Sequence, residues 1–312
     1  MRVVFFGTPA LAVPSLAEAV RRHEVAAVVC QPDKPAGRGR RPVAPPVKQW
    51  AEEHGLPVHQ PAKLNDGRFE AWLREQAPGI CAIAAYGRLL KQPILDVPPH
   101  GFINVHPSLL PRHRGPSPIQ TALLEGDEMT GVTIMRLILQ MDAGDIILQE
   151  EAPVDLHDTA GTLSERLASL GGRLLGEALD QIEADTATFT PQDDSKATYS
   201  TMFTKDAGRI CWAHDARAIH NQVRACNPWP VAFCRLDSET CRIHRTEPRE
   251  PRTGGIAPGT VTAVERDAIE VATGEGTLAI QQLQLPGKKV LRAGDFLRGR
   301  QMKPGDRFED GQ

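Results

Sequence analysis

The chain has 312 residues, 41% of them hydrophobic and 24% charged, the composition of an ordinary soluble globular protein, which excludes a disordered or fibrous chain. That length supports one large core and a smaller one, so two domains are expected. The formal net charge of −3 argues on its own against a polyanionic partner, but five Lys/Arg stand against one acid between Cys30 and Trp50, and six against one between Pro286 and Lys303, two basic patches suited to docking a nucleic acid.

No apolar run reaches the roughly 20 residues of a membrane span, and Met1 to Gly7 lack the layout of an export signal, so a cytoplasmic protein is expected. The six cysteines (Cys30, Cys81, Cys211, Cys226, Cys234, Cys241) fall at no CxxC or zinc-ribbon spacing and are expected to remain thiols.

In chain order, Arg2 to Gly7 (RVVFFG) predicts a strand ending at glycine, Pro14 to Arg22 a helix, and Val25 to Val29 a second strand. Gln31 to Pro46, rich in Pro, Gly and Arg, predicts an exposed loop. Helices are expected at Val47 to His54 and Phe69 to Gln76, and Ile80 to Ala85 (ICAIAA) is an apolar run suited to a strand buried on both faces. Strands at Phe102 to Val105 and Gly131 to Leu137, with a helix at Ile119 to Glu125 between them, continue an alternation that implies a parallel sheet. Leu163, Leu167, Leu170, Leu174, Leu175 and Leu179 recur at helical spacing in a long helix from Thr162 to Ile182.

Residues 185–205 turn polar and irregular, which predicts a linker between a domain at 1–184 and a second at 206–312. There a helix at Ala216 to Ala225 precedes short β-rich runs at Gly259 to Val264, Ala268 to Ala272 and Leu278 to Leu285. The expected fold class is α/β: a Rossmann-like, mostly parallel sheet with flanking helices, followed by a small antiparallel, OB-like β-barrel of a kind that often binds nucleic acid.

The stretch from His100 to Gly115 (HGFINVHPSLLPRHRG) carries the most chemistry. Asn104 and His106, two apart, share a strand face, and Pro107 ends the pairing at the carboxyl edge, where open parallel sheets bind ligands. An amide beside an imidazole suits acyl transfer, one stabilising an oxyanion and the other handling a proton. Alone, the pair equally fits a turn asparagine and a core histidine satisfied by backbone. No cysteine lies nearby, and Ser108 lacks the GxSxG elbow, which favours direct attack by a substrate amine without a covalent intermediate. Where Gly131 to Leu137 ends, Asp142 sits among small residues (MDAGD) and could hold His106 charged, although a turn cap fits it too and Asp145 could serve instead. Gly7 begins a turn holding only one glycine of GxGxxG, against dinucleotide binding, and His100, His106 and His113 match no metal spacing, so no metal is expected.

Taken together, FFGTP, QPDKPAGRGR, AAYGRLL, INVHPSLLPRHRG, TGVTIM, MDAGDIIL, NPWP and PGKKV make the chain resemble the methionyl-tRNA formyltransferase family over nearly its whole length. The resemblance implies formyl transfer from 10-formyltetrahydrofolate to initiator methionyl-tRNA by a cytoplasmic monomer with no membrane association. It also implies a catalytic trio at Asn104, His106 and Asp142, and a folate seat at Tyr86, Gly87, Ser108, Leu109, Leu110 and Pro111. The implied tRNA contacts are Lys34, Arg38, Arg40 and Arg41 in the first loop, with Lys288 and Lys289 on the barrel. In this mechanism a charged His106, kept so by Asp142, stabilises the oxyanion with Asn104. One departure is His113, where many members of the family carry a tryptophan.

Overall fold

The computed structural model describes residues 1–36, 41–250 and 255–311. They form two compact units: Met1–Pro118 with Met129–Pro153 and Ser164–Ser200, and Ile119–Glu128 with Val154–Leu163 and Thr201–Gln312.

In chain order the first elements are β1 (Arg2–Gly7), α1 (Val13–Arg22), β2 (Glu24–Val29), β3 (Lys34–Ala36), β4 (Arg41–Val43), α2 (Pro46–Glu53) and β5 (Val58–His59). There follow α3 (Arg68–Glu75), β6 (Ile80–Ala84), α4 (Gln92–Leu95), β7 (Phe102–His106), α5 (Pro118–Glu125), β8 (Met129–Arg136), β9 (Ile146–Pro153) and α6 (Ala160–Glu183). The stretch expected to be all loop therefore contains the short hairpin β3–β4.

The sheet of the first unit runs β5-β2-β1-β6-β7-β8-β9. Its first five strands are parallel, and β8 and β9 are antiparallel. Within this sheet, mostly parallel as expected, β8 returns beside β7 in the opposite sense, so His106 faces Thr133 across the ladder. β6 is buried along its whole length, as a strand covered on both faces must be. Phe6 anchors the core beneath the sheet's carboxyl edge, edge-on to Tyr86 at 5.4 Å and to Phe69 at 6.1 Å. Strand order reverses between β1 and β6, the kind of switch point outside whose carboxyl ends open parallel sheets bind ligands.

The second unit carries α7 (Ala216–Ala225), β10 (Ala232–Leu236), β11 (Glu239–Arg249), β12 (Val261–Val264), β13 (Ile269–Ala272), β14 (Thr277–Gln284), β15 (Leu291–Arg292), α8 (Ala293–Gly299) and β16 (Phe308–Glu309). Asp215 caps α7, its carboxylate accepting the Ala218 N–H at 2.8 Å. The strands are antiparallel in the order β12-β13-β14-β11-β10-β16, with β15 on β14. A bridge from Thr260 to Arg307 joins the two edges and curls the sheet into a small barrel. Trp212, Ile243, Val271, Ile280 and Phe308 fill it. Asp237 and Ser238, both at positive φ, make the two-residue turn between β10 and β11.

Candidate active site

β7 ends at His106, with Pro107 next in the chain. Asn104, flanked by Ile83 on β6 and Met135 on β8, lies on the same strand face as His106. It is half-buried, and its amide has no hydrogen-bond partner among the described residues. His106 is only 4% exposed. Its Nε2 lies 3.0 Å from the His113 carbonyl oxygen, and its Nδ1 lies 3.7 Å from Oδ2 of Asp142. The same Oδ2 accepts the Gly115 N–H at 2.7 Å. The structure thus brings the imidazole and carboxylate together, with the amide two residues back on the shared face.

A carbonyl oxygen only accepts, so Nε2 carries the proton of a neutral His106, and the Nδ1 lone pair turns toward Asp142. Burial pushes the His106 pKa below the ordinary histidine value, while the Asp142 carboxylate and the His113 carbonyl oppose that shift. Desolvation and the carboxylate therefore act in opposite senses on the charge that the sequence led us to expect on His106. What the arrangement offers is a neutral imidazole whose protonated form is met at Nδ1 by a carboxylate.

The neighbouring loops are held by side chains that no motif or periodicity singles out. Gln31 donates to the carbonyls of Tyr86 at 2.8 Å and Gly87 at 3.4 Å. Thr133 donates to the Ser108 carbonyl at 2.7 Å and accepts the Leu110 N–H at 3.1 Å, and Gln149 donates to the Leu110 carbonyl at 3.0 Å. Gln192 donates from Nε2 to the carbonyls of Asp142 at 2.8 Å and Gly144 at 2.7 Å. Its Oε1 accepts two N–H groups of Arg114 at 3.1 and 2.8 Å.

The residues expected to seat a folate contribute mostly main chain here. Tyr86 buries its ring against Phe6. Gly87 sits at φ +73, where a Cβ would come within 2.9 Å of Gln31. Ser108 is fully buried, its hydroxyl donating to the Arg112 carbonyl at 2.7 Å. Leu110 is buried and Leu109 half-buried, with Pro111 following across a cis bond. The hydrogen bond from His106 to position 113 goes to the carbonyl, so the side chain there does not make that bond.

Of the expected nucleic-acid contacts, Lys34 is exposed on β3 and donates to Gln31 at 2.7 Å. Arg38 and Arg40 lie outside the described residues, and for Arg41 only the backbone, in β4, is described. Lys288 and Lys289 stand exposed between β14 and β15. A cavity of about 570 Å³ opens at the other end of β7, lined by His100, Phe102, Arg136 and Phe189 among others. It does not include His106 or Asp142.

Residues 1–179 match the family model described as formyl transferase, and residues 202–301 match that of the formyl transferase C-terminal domain. The chain is 42% identical to a methionyl-tRNA formyltransferase of Citrifermentans bemidjiense, over 98% of this chain and 95% of that one. It is 44% identical to one from Stenotrophomonas maltophilia, over 96% and 98%. Among solved structures it resembles WlaRD, a sugar 3N-formyl transferase, with a TM-score of 0.65 at 18% identity over 93% of this chain and 99% of that one. It also resembles HypX from Aquifex aeolicus in complex with tetrahydrofolic acid, with a TM-score of 0.65 at 19% identity. This chain is covered in full there and spans 50% of HypX, and at such identities both likenesses speak for the fold alone. No helix among the described residues is long and apolar enough to cross a membrane.

Proposed function

The chain belongs to the methionyl-tRNA formyltransferase family, and we propose that it moves the formyl group of 10-formyltetrahydrofolate onto the amine of methionine esterified to initiator tRNA. The product is N-formylmethionyl-tRNA for translation initiation. In this reading the amine nitrogen attacks the formyl carbon directly. The new C–N bond forms, the bond to the folate nitrogen breaks, and one proton passes from the attacking amine to the departing nitrogen.

Asn104 donates to the oxyanion of the tetrahedral intermediate. His106 takes the amine proton at Nδ1 while its Nε2–H stays on the His113 carbonyl, and Asp142 stabilises the imidazolium. Direct attack is supported by the state of the candidate nucleophiles. The Ser108 hydroxyl is buried and engaged with Arg112, and burial pushes the Cys30 thiol, just past β2, up to about 11.

Tyr86, Gly87 and the Ser108 to Pro111 segment frame the donor. Lys34, Arg38, Arg40, Arg41, Lys288 and Lys289 meet tRNA phosphates, and no metal takes part. Residues 1–184 serve as the catalytic domain and 206–312 as the tRNA-binding domain, joined through 185–205, in a cytoplasmic monomer. The observation that carries the reading is His106 set between a carbonyl and a carboxylate beside an unspent amide. The test is a formyl-transfer assay with charged tRNA, uncharged tRNA and a small amine such as an amino-sugar nucleotide. Turnover confined to charged tRNA is expected, and equal use of the small amine overturns the proposal.

A further inference from the structure

We infer that Gln192, from the polar segment after α6, is a positioning residue that sets the Asp142 carboxylate against His106; the inference rests on the reading above. Asp142 adopts a left-handed backbone, φ +50, uncommon for a non-glycine residue though aspartate tolerates it better than most. Its neighbours Leu139, Gln140 and Met141 are exposed and offer little restraint. The restraint comes instead from the Gln192 amide, whose two N–H groups grip the carbonyls of Asp142 and Gly144. Gly144 itself is pressed against β8, where a Cβ would fall 1.8 Å from the Arg136 carbonyl oxygen.

Gln192 is in turn fixed by Arg114, 1% exposed and also paired with Asp194 at 2.7 Å. Three consecutive residues therefore converge on one proton-handling pair. His113 gives its carbonyl to His106, Arg114 orients Gln192, and Gly115 gives its N–H to the carboxylate. Both donors and the acceptor of the glutamine amide are used, so an isosteric change separates its roles. Gln192→Glu keeps an acceptor for Arg114 and turns both grips on the loop into repulsions. Gln192→Met removes all of them.

The experiment measures steady-state kinetics on charged tRNA, thermal stability and the His106 titration by NMR in wild type, Gln192→Glu, Gln192→Met, Asp142→Asn and the double variant Gln192→Glu with Asp142→Asn. Misplacing a reacting group by about 1 Å costs about 100-fold, so kcat should fall about 10- to 100-fold in both Gln192 variants, with KM for donor and tRNA within about 3-fold. The charged and titratable groups acting on His106 are Asp142 and His113. The His106 titration should therefore move to lower pH in Gln192→Met, which adds no charge, in the direction Asp142→Asn moves it, and the double variant should be no slower than Asp142→Asn alone. A kcat within about 2-fold of wild type, or losses that multiply in the double variant with an unmoved His106 titration, overturns the inference. A wild type that forms no formylated product defeats the parent reading instead, and the titration, which needs no substrate, still decides the role of Gln192.

Discussion

One oxygen of Asp142 serves two partners: it accepts the Gly115 N–H at 2.7 Å and faces Nδ1 of His106 at 3.7 Å. The first contact fixes the carboxylate, and the second gives a proton arriving on the imidazole an opposite charge. Replacing Asp142 with Asn keeps an oxygen for Gly115 and removes that charge. His106 acts as a base only when neutral, so its pKa sets the acid limb of the rate profile. The carboxylate raises that pKa, and without it the limb should shift to lower pH. The rate at neutral pH should fall as the imidazolium loses its partner, which a pH profile of kcat/KM from pH 5 to 9 reads directly.

Asn104→Ala removes an oxyanion donor without breaking a side-chain hydrogen bond among the described residues. Loss of one such donor costs about 100- to 1,000-fold in kcat, with KM for the donor little changed. A near-normal kcat would remove Asn104 from the chemistry.

His220 offers a test on the second unit. It is 2% exposed, with Nε2 at 3.1 Å from the Leu156 carbonyl oxygen and Nδ1 at 3.0 Å from the Thr246 hydroxyl, and burial holds its pKa down at about 4. A histidine with a depressed folded pKa binds fewer protons than the unfolded chain, so its contribution is intact above about pH 6.5 and is lost as pH falls toward 4. The full difference amounts to about 3 kcal/mol. Urea midpoints at pH 7.5 and 5 should diverge in wild type and converge in His220→Gln.

Arg38→Ala should weaken use of charged tRNA and leave donor binding untouched. If the side chain meets a phosphate, the loss should shrink as salt rises, since the wild type then forfeits an electrostatic attraction that the variant already lacks. Unchanged kinetics at low salt would take Arg38 out of the interface.

Much of the fold was readable in the chain because its signals are local. The strand β6 follows from an unbroken apolar run, and the end of β7 follows from Pro107. The meeting of His106 and Asp142 does not follow from the strand ends, because β8 runs antiparallel to β7 and ends beside Phe102, so that Asp142 reaches His106 from the loop that follows. The antiparallel return of β8 was not readable, since the direction of a strand is fixed by the path of the chain between strands and not by its own residues. Nor was Gln192, whose two grips on backbone carbonyls about fifty positions away leave no periodic trace and sit in a segment whose composition reads as a linker. The hairpin turn at Asp237 and Ser238 escaped because it lacks the asparagine-glycine pair that usually marks one.

Because residue 113 holds His106 through its main chain, the identity of the side chain there is decoupled from the bond to the imidazole. That position has latitude for exchange, bounded by the space around a buried group and by a backbone at φ +57. Proline alone is barred outright: its ring imposes φ near −65°, and it has no N–H to give the Thr198 hydroxyl, which now receives one at 2.8 Å.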